Sequence, residues 1–517
     1  MKPTLTRRTL LRGGAATAGA ALLAPALPRN AAAARTRVTV RIERDIQNMD
    51  PANRVSTVES NILLAVHRGL VRFKPGSIAW ESDAAAEMKL VSPTALEFAL
   101  KPGIQFQRGY GEMTAEDVKF SYERFLESGK DGKKPAYAAD WAALDHVEVL
   151  DKYRGRIVLK NPAPSLSIIA LCSASGIVLS KKATQEMGDK MLTQAVGAGR
   201  YEQSEWVAGE RVVLKRNPTY LGAKAPFEEI VLKPVTDAKT AELAFRNGEV
   251  DFTQVDLTLA GEVAKTQNSK LLKLDGIDYI WIGMNVEKPP LDDLKVRQAI
   301  RAAIDVDAVL AAAWDGKVKP ARALIPPQIL GHWDQAPVRK RDVTLAKRLL
   351  AESGHGDGLK VTLTALNQAT YRTAAQVAQA NLKDAGIECV LDIEDPGSFW
   401  SAGKGDRGKT LELSLQLFKG KFDPSFFTQW FVSSQIGVWN WQRWSNPEFD
   451  RLDKVASSTL DTAERVKALV RMQQLMEESA AFVWLTHDVL NFATRSWLRP
   501  AVLPNGNDWQ LDDFREA

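Results

Sequence analysis

The residues that most often carry catalysis or bind metals are scattered in this chain. The five histidines stand at positions 67, 146, 332, 355 and 487. No two are three or four residues apart, the spacing at which two histidines on one helix face share a metal ion. No Gly-x-Ser-x-Gly nucleophile motif occurs, and Gly197-Ala198-Gly199 is too short for a dinucleotide-binding fingerprint. This pattern predicts a protein that is not an enzyme and uses no metal or cofactor.

Tryptophan is the residue whose number and spacing do suggest a function. The chain has 14 tryptophans, and five fall within 45 residues: Trp400, Trp430, Trp439, Trp441 and Trp444. An indole offers a large contact area with few rotatable bonds, which suits a pocket that closes on a small ligand. If residues 438–441 are extended, Trp439 and Trp441 share one face. We therefore predict that Trp439 and Trp441 bind ligand, although most tryptophans should be core residues.

Composition and charge narrow the class of protein. The 517 residues suggest roughly three to four domain-sized masses, and 45% apolar with 25% charged residues is ordinary for a globular chain. Cys172 and Cys389 are too few for a disulfide scaffold, and we expect buried free thiols. The net charge of +5 arises from residues 1–34, which contain five basic residues and no acid. The remainder is formally neutral, which argues against a nucleic-acid partner.

The first 34 residues have the order of an export signal. Arg7-Arg8 precedes an uncharged stretch rich in Ala and Gly, and Ala31 to Ala34 closes it. A charged, then apolar, then small-residue order is typical of a secretory signal, and paired arginines indicate the twin-arginine (Tat) route. We expect cleavage after Ala34, with an uncleaved membrane anchor as the alternative. The sequence thus predicts a periplasmic protein.

The mature chain mixes helical and strand patterns. Alternating segments at 38–42, 96–100, 211–215 and 230–232 predict strands. Apolar faces or caps predict helices at 59–70, 114–126, 240–247, 346–352, 373–385 and 446–480. The carboxylate pairs Asp292-Asp293 and Asp512-Asp513 are interpreted as solvated caps, and residues 401–408 as a mobile loop. The fold class is therefore α/β with more than one domain.

Several short motifs occur in an order that resembles a known family. They are Arg68-Gly69-Leu70-Val71, Lys101-Pro102-Gly103, Thr114-Ala115-Glu116-Asp117, Gly199-Arg200-Tyr201, Arg216-Asn217-Pro218, Gly248-Glu249-Val250-Asp251 and Val296-Arg297-Gln298-Ala299-Ile300. Each is weak alone. In their order and spacing, these motifs make the chain resemble the extracytoplasmic solute-binding proteins of peptide and nickel ABC transporters, family 5.

That resemblance implies a two-lobed periplasmic binding protein fold with a hinge. Lobe I would comprise residues 35–73, 195–284 and 484–517, with an extra subdomain inserted at 74–194. Lobe II would span 285–483, so the chain would cross between lobes near Asn285 and Thr486. A ligand that contacts both lobes would stabilise closure. The expected partners are a small-molecule ligand and the inner-membrane permease subunits with their ATPases, and the protein is expected to be a monomer.

The resemblance also places the ligand contacts. In peptide-binding members an acidic residue before an Asp-Pro-x-x-Phe-like segment holds the ligand amine. Here that segment begins at Asp423, and Lys419-Gly420-Lys421 precedes it, so glycine replaces the acid. A buried lysine needs an anion, so inward-pointing Lys419 or Lys421 would favour an anionic ligand, whereas both could instead face solvent. Asp423 could still contact an amine.

The remaining site residues are carried over by position from the same family. Ser56 and Thr57 precede the first long helix, where lobe I offers hydroxyl and backbone contacts. Tyr371 and Arg372 precede another helix, where a basic group meets a ligand carboxylate. Trp281 ends an apolar strand near the crossing and faces either the cleft or the core.

The favoured function is capture of a small polar, carboxylate-bearing solute for an ABC importer. An opine-like conjugate, a modified amino acid, an aminopolycarboxylate or an acidic dipeptide would fit. The alternative within this class is a di- or oligopeptide-binding protein. A secreted hydrolase is less favoured because no nucleophile or metal motif was found, and a periplasmic chaperone or sensor on the same scaffold is a third class.

Overall fold

The structure is a computed structural model that describes residues 35–129, 132–257, 260–263 and 265–517. Residues 36–517 form one compact unit. The predicted export signal lies outside the described residues. Within the described part of the chain, no helix is long and apolar enough to cross a membrane.

The first large sheet has seven strands and defines lobe I. Its order is β12-β13-β14-β1-β15-β22-β16, and β1 pairs in parallel with both β14 and β15. Alternating Val38, Val40 and Ile42 place β1 at the centre with their side chains buried. The strands are β1 (Arg37–Ile42), β12 (Tyr201–Val207), β13 (Arg211–Arg216), β14 (Glu229–Pro234), β15 (Phe252–Val255), β16 (Ser269–Asp275) and β22 (Val489–Arg495).

A four-stranded antiparallel sheet is inserted between β1 and β12 of lobe I. Its order is β5-β6-β10-β9. The strands are β5 (Ala85–Ser92), β6 (Ala95–Leu100), β9 (Leu144–Val149) and β10 (Arg154–Leu159). Four short pairs accompany the main sheets: β2 (Arg68–Gly69) with β11 (Ile177–Val178), β3 (Val71–Phe73) with β4 (Trp80–Ser82), β7 (Gln105–Phe106) with β8 (Gly111–Glu112), and β23 (Leu498–Arg499) with β24 (Arg515–Glu516).

The second large sheet has five strands and defines lobe II. Its order is β19-β18-β20-β17-β21, with β18 parallel to both β19 and β20. The strands are β17 (Tyr279–Met284), β18 (Leu359–Leu366), β19 (Ile387–Glu394), β20 (Leu413–Phe418) and β21 (Phe482–Thr486). The predicted helix–glycine–strand order at 373–394 is confirmed as helix Ala369–Asp384, Gly386 at φ 86° and β19.

Fourteen α-helices lie in the described residues. They are α1 (Thr57–Val66), α2 (Ala115–Glu123), α3 (Lys181–Met187), α4 (Ala238–Arg246), α5 (Ala260–Val263), α6 (Leu294–Ala303), α7 (Val306–Ala313), α8 (Val343–Glu352), α9 (Ala369–Asp384), α10 (Pro396–Phe399), α11 (Arg407–Thr410), α12 (Ser425–Thr428), α13 (Pro447–Ser458) and α14 (Thr462–Ser479). The predicted capping box at Thr114 and Asp117 starts α2, and the long helical stretch at 446–480 is a pair of helices.

The chain passes between the two large sheets twice. The first passage, residues 276–278, joins β16 to β17, and the second, residues 487–488, joins β21 to β22. The second agrees in position with the crossing expected near Thr486. The first lies upstream of β17, whereas the sequence placed it downstream, near Asn285. The reason is that the apolar strand before Asn285 pairs with β20 and β21 of lobe II.

The carboxylate pair Asp512-Asp513 is not solvated as predicted. Arg72 Nη1 donates to Asp512 at 2.9 Å, and Arg200 Nη1 donates to Asp513 at 2.7 Å. Asp512 is only 5% exposed. These ion pairs hold the C-terminal segment against lobe I. By contrast, Asp293 caps α6 as predicted.

The Gly197-Ala198-Gly199 turn has a structural explanation. A Cβ on Gly197 would lie 2.1 Å from the carbonyl oxygen of Val66, and one on Gly199 would lie 2.6 Å from that of Ala65. Gly199 N donates to Val66 O at 2.8 Å. The glycines therefore let this segment pack on the backbone at the end of α1.

We predict that Gly197→Ala lowers the free energy of unfolding by about 1–3 kcal/mol, because the new methyl group overlaps a backbone carbonyl that cannot rotate away. Urea unfolding followed by circular dichroism measures this. The matched control is Gly397→Ala in α10, where nothing lies within 4 Å of the added Cβ. Equal stability of the two variants would contradict the close-packing argument.

Candidate ligand-binding site

A cavity of about 430 Å³ lies where lobe I and its inserted part face lobe II. Lobe I contributes the start of α1 and the turn at 503–508, and the insertion contributes residues around Tyr137 and Ile168. Lobe II contributes the segment after β20. The polar and charged side chains on its wall are Arg54, Ser56, Thr57, Ser60, Tyr137, Asp140, Ser173, Lys419, Lys421, Asn505, Asn507 and Asp508.

The lobe II wall is anchored to the hinge by Asp278. The Asp278 carboxylate accepts from Lys419 Nζ at 2.6 Å and from Gly420 N at 3.2 Å. Gly420 is required here because a Cβ would lie 2.1 Å from the carbonyl oxygen of Ile277. Partial desolvation by the surrounding protein lowers the pKa of Lys419, but the Asp278 carboxylate outweighs this effect and the net pKa is raised. Lys419 is therefore a fixed cation at the cavity wall.

Lys421 connects the two lobes across the cavity. Its Nζ lies 3.5 Å from Asp140 Oδ1 in the insertion and 4.8 Å from the ring centroid of Phe426. Asp140 also accepts from Ser175 Oγ at 2.6 Å and lies 3.8 Å from Arg54 Nη2. The Asp140 carboxylate therefore lies close to one cation from each lobe, Arg54 of lobe I and Lys421 of lobe II.

A second cross-lobe contact is apolar. Phe73 at the end of β3 meets Phe422 edge to face, with ring centroids 5.4 Å apart. Phe422 follows Lys421 directly and is 8% exposed. An aromatic pair between the lobes thus lies beside the Lys421–Asp140 ion pair.

The lobe I floor is built on Arg54. Its Nε donates to Ser60 Oγ at 2.8 Å, its Nη1 donates to Ser175 Oγ at 3.2 Å, and the guanidinium stacks 3.4 Å from the Tyr137 ring centroid. Burial lowers its pKa. Nearby, Ser56 caps α1, and its hydroxyl accepts from Val58 N at 3.1 Å.

Asp508 supplies a carboxylate to the cavity from the lobe I turn at 503–508. Its backbone N–H donates to Asn505 Oδ1 at 3.1 Å, and its carboxylate accepts from Asn505 Nδ2 at 2.7 Å. Burial raises its pKa, while Arg54 and Lys421 pull the pKa down. Within the described part of the chain Asp508 forms no ion pair. It is therefore an acid on the cavity wall that can accept a cationic group.

Four of the predicted site residues line this cavity: Ser56, Thr57, Lys419 and Lys421. The sequence analysis left open whether the two lysines point inward towards an anion or outward to solvent. Both line the cavity and pair with acids of the protein, Lys419 with Asp278 and Lys421 with Asp140. Sequence reasoning missed Arg54, Asp140 and Asp508. The segment Asn505-Gly506-Asn507-Asp508 does have the composition of a turn, but nothing in it indicates the distant chain segments that it meets.

Asp423, for which an amine contact was predicted, lies away from the cavity. Asp423 is 2% exposed, and its Oδ1 accepts from Arg465 Nη2 at 2.6 Å and from Ser425 Oγ at 2.6 Å. Its charge is used to start α12 and to neutralise an arginine on α14. It does not line the cavity.

The other candidates lie in the core or elsewhere on lobe II. Trp281 is fully buried, stacks on Tyr279 at 5.5 Å and packs edge to face on Phe431, so it faces the core. Tyr371 is half-buried against Trp314, at 6.3 Å. Arg372 is exposed and donates to Asn367 Oδ1 at 2.6 Å.

The expected tryptophan pair does not form. Residues 437–439 and 441–442 form turns, not a strand, so the two indoles diverge. Trp441 is 1% exposed and packs against Phe399 and Trp400. Trp439 is half-buried and packs against Phe418 and Trp430, beside the cavity.

Residues 403–410 fit two phosphate-binding patterns in sequence, Gly-x-x-x-x-Gly-Lys-Thr and Gly-x-Gly-x-x-Gly. Both motifs require a strand before the loop and a long helix after it. Here turns precede the segment, its last four residues form the short helix α11, and strand β20 follows. A Cβ on Gly403 would lie 2.0 Å from Trp441, so this glycine serves aromatic packing. Residues 401–408, which were predicted to form a mobile loop, thus pack against the buried indole of Trp441.

The described residues also contain no group of three or more His, Cys, Asp or Glu side chains placed to hold a metal ion. Cys172 and Cys389 are both buried free thiols. Burial raises the pKa of the Cys389 thiol to about 11.

Two sheet-based lobes joined by two short passages, with a charged cavity between them, define a two-lobed solute-binding protein. The chain belongs to the bacterial extracellular solute-binding proteins, family 5. The model of this family matches residues 84–439. It is therefore a solute-binding protein of an ABC transporter.

The relatives agree with this assignment. The chain is 26% identical to the glutathione-binding protein GsiB of Escherichia coli O1:K1 / APEC, covering 95% of this chain and 97% of that one. The periplasmic binding protein DppA from Helicobacter pylori, in complex with the peptide STSA, superposes with a TM-score of 0.73 at 23% identity over 93% of this chain and 98% of that one. MoaA from A. tumefaciens R10, in complex with mannopinic acid, gives 0.71 at 24% identity over 93% and 100%.

We predict that Asp423→Ala lowers the free energy of unfolding by about 3–5 kcal/mol, because the Arg465 guanidinium is left buried without its carboxylate. Chemical denaturation measures the loss. The double variant Asp423→Ala/Arg465→Met should recover part of it, since no charge then stays unpaired. A variant of unchanged stability and weakened ligand binding would instead restore Asp423 as a ligand contact.

Proposed function

We propose that this protein captures a small carboxylate-bearing solute in the cavity between its lobes and delivers it unaltered to an inner-membrane permease. The observation that carries the proposal is the Lys419-Gly420-Lys421 segment on the cavity wall. The solute classes that fit are opine-like conjugates, modified amino acids, aminopolycarboxylates and acidic dipeptides. The site of action is the periplasm, reached through the predicted twin-arginine signal, and the working form is a monomer.

The two lysines retain donors for a ligand. An ammonium group has three N–H donors, and the described contacts give each lysine one carboxylate partner. The Lys419 side chain is 64% exposed and that of Lys421 is 41% exposed, so a solute can reach both. A ligand carboxylate between them would accept charge-assisted hydrogen bonds.

Asp508 supports a solute that also carries an amine. Its carboxylate lines the same cavity as Arg54 and Lys421, with Asn505 as its one described side-chain donor. An ammonium group placed here would relieve the cost of keeping that carboxylate charged in a desolvated site. A zwitterion could therefore pair its carboxylate with the two lysines of lobe II and its ammonium group with Asp508 of lobe I.

The names of the relatives are consistent with such solutes. GsiB is named for glutathione, and the complex of MoaA contains mannopinic acid. Peptides are the second candidate, supported by the DppA complex with STSA and by the 24% identical dipeptide-binding protein of Escherichia coli K12. For a peptide, Asp508 would take over the amine contact that Asp423 cannot make.

Delivery requires that solute and lobe closure be coupled. A solute that touches Lys421 on lobe II and Asp508 on lobe I binds the closed form more tightly than the open form, so it shifts the equilibrium towards closure. The Lys421–Asp140 pair and the Phe73–Phe422 contact stabilise the same arrangement. The closed lobes then present one surface to the permease.

We predict that Lys419→Ala and Lys421→Ala each weaken binding of an acidic solute about 10- to 100-fold, because each removes a hydrogen bond to a charged group. Isothermal titration with glutathione, mannopinic acid and Met-Leu measures the affinities. The matched control is Arg372→Ala, an exposed cation of lobe II away from the cavity. Unchanged affinity in both lysine variants would contradict the proposal.

We also predict that affinity for the amine-bearing probes falls as the pH is lowered. Because burial raises the pKa of Asp508 above that of an ordinary carboxyl group, Asp508 takes up a proton, and loses the ligand ammonium, before the ligand's own carboxylates are protonated. The other charged groups on the wall are Arg54, Lys421, Lys419 and Asp140. Titration at several pH values checks this, and Asp508→Asn should flatten the profile. If Asp508→Asn shows the same pH dependence of affinity as the unmodified protein, a group other than Asp508 causes it.

A further inference from the structure

A second, mainly aromatic pocket adjoins the cavity on lobe II. Its volume is about 150 Å³, and it is lined by Phe418, Lys419, Phe426, Trp430 and Trp439, which we call the aromatic pocket. The rings of Phe418, Trp430 and Trp439 are nearly perpendicular to one another, with centroids 5.9–6.2 Å apart. Phe426 closes it against Trp430 at 5.3 Å. All four rings are only half-buried.

The aromatic pocket continues the main cavity. Lys419 and Phe426 line both spaces, so the two spaces meet at these side chains and a solute held by Lys419 lies next to the pocket. Half-exposed aromatic rings grouped this way are costly to leave in water, which is typical of a binding surface. Because the aromatic pocket adjoins the cavity, we take its occupant to be part of the solute bound in the cavity.

The charges around the pocket select what can enter. Lys404 Nζ lies 4.6 Å from the Trp439 ring centroid, and Lys421 Nζ lies 4.8 Å from that of Phe426. These lysines already occupy the positions from which a cation would contact the ring faces. With Lys419 also at the edge, a cationic group would meet like charge. An uncharged apolar group attached to an anionic solute fits.

We propose that the aromatic pocket binds an apolar arm, an aromatic ring or a branched alkyl group, of the carboxylate-bearing solute. This rests on the proposed function and narrows it: the solute is a conjugate with an acidic, amine-bearing end in the cavity and an apolar arm beside Trp430. The pocket thereby sets specificity among acids that the lysines alone would accept.

Matched probes test this assignment. Glutathione and S-benzylglutathione share their carboxylates and amine but differ in an aromatic arm, and Met-Gly and Met-Leu differ in a branched alkyl arm. Calorimetry should show the arm-bearing member of a pair binding the unmodified protein at least about tenfold more tightly, since burying such a group is favourable. Trp430→Ala should bring that ratio close to one. Trp80→Ala, which removes an exposed indole of lobe I, should leave the ratio unchanged.

The outcomes separate this assignment from the proposed function. Trp439→Ala is the second variant, and near-ultraviolet circular dichroism confirms that either variant is folded. A ratio lost in both variants supports the assignment. If both members of each pair bind the unmodified protein equally, or the ratio survives in both variants, the assignment is wrong and the proposed function stands. If no probe binds, both fail. If the variants bind normally but abolish solute uptake by cells, the pocket is a permease contact and the assignment is overturned.

Discussion

The hydrogen bonds of Asp278 to Lys419 and Gly420 determine where the binding surface of lobe II can be. Asp278 lies in the first passage between the sheets and is 5% exposed, so its carboxylate must be paired. Pairing it with the segment after β20 fixes that segment to the hinge itself. Lys421 and Phe422 then project towards lobe I, and every cross-lobe contact described here follows from this anchor. Any movement of the hinge consequently moves the binding wall.

The same arrangement explains how a two-lobed protein can hold a solute firmly and still release it. At the cavity, described residues of the two lobes meet in an ion pair at 3.5 Å and in an edge-to-face aromatic pair. Partly exposed ion pairs contribute little, and an aromatic pair adds about 0.5–1.5 kcal/mol beyond its buried area. A solute that contacts both walls of the cavity would add its own contacts to these and so favour the arrangement in which the lobes meet.

Local pattern was sufficient to predict much of the fold. The period-two alternation of β1, the capping box of α2 and the glycines that end α8 and α9 depend on neighbours a few residues away, and the structure confirms them. The ordered family motifs were sufficient for the two-lobed class. The site was harder, because Arg54, Asp140 and Asp508 come together only through tertiary packing. The positions of Asp423 and Trp441 were not predicted for the same reason. Asp423 is paired with Arg465 and Trp441 packs against Phe399, each 42 residues away in sequence, and both side chains are buried.

A crystal structure of the protein grown with its solute would show whether the cavity between the lobes holds the solute. We expect one chemically intact molecule there, with a carboxylate oxygen within about 3 Å of Lys419 or Lys421 Nζ. Density for the solute outside this cavity, or for a cleaved product within it, would show that the protein does not bind and release an acidic solute in the way proposed.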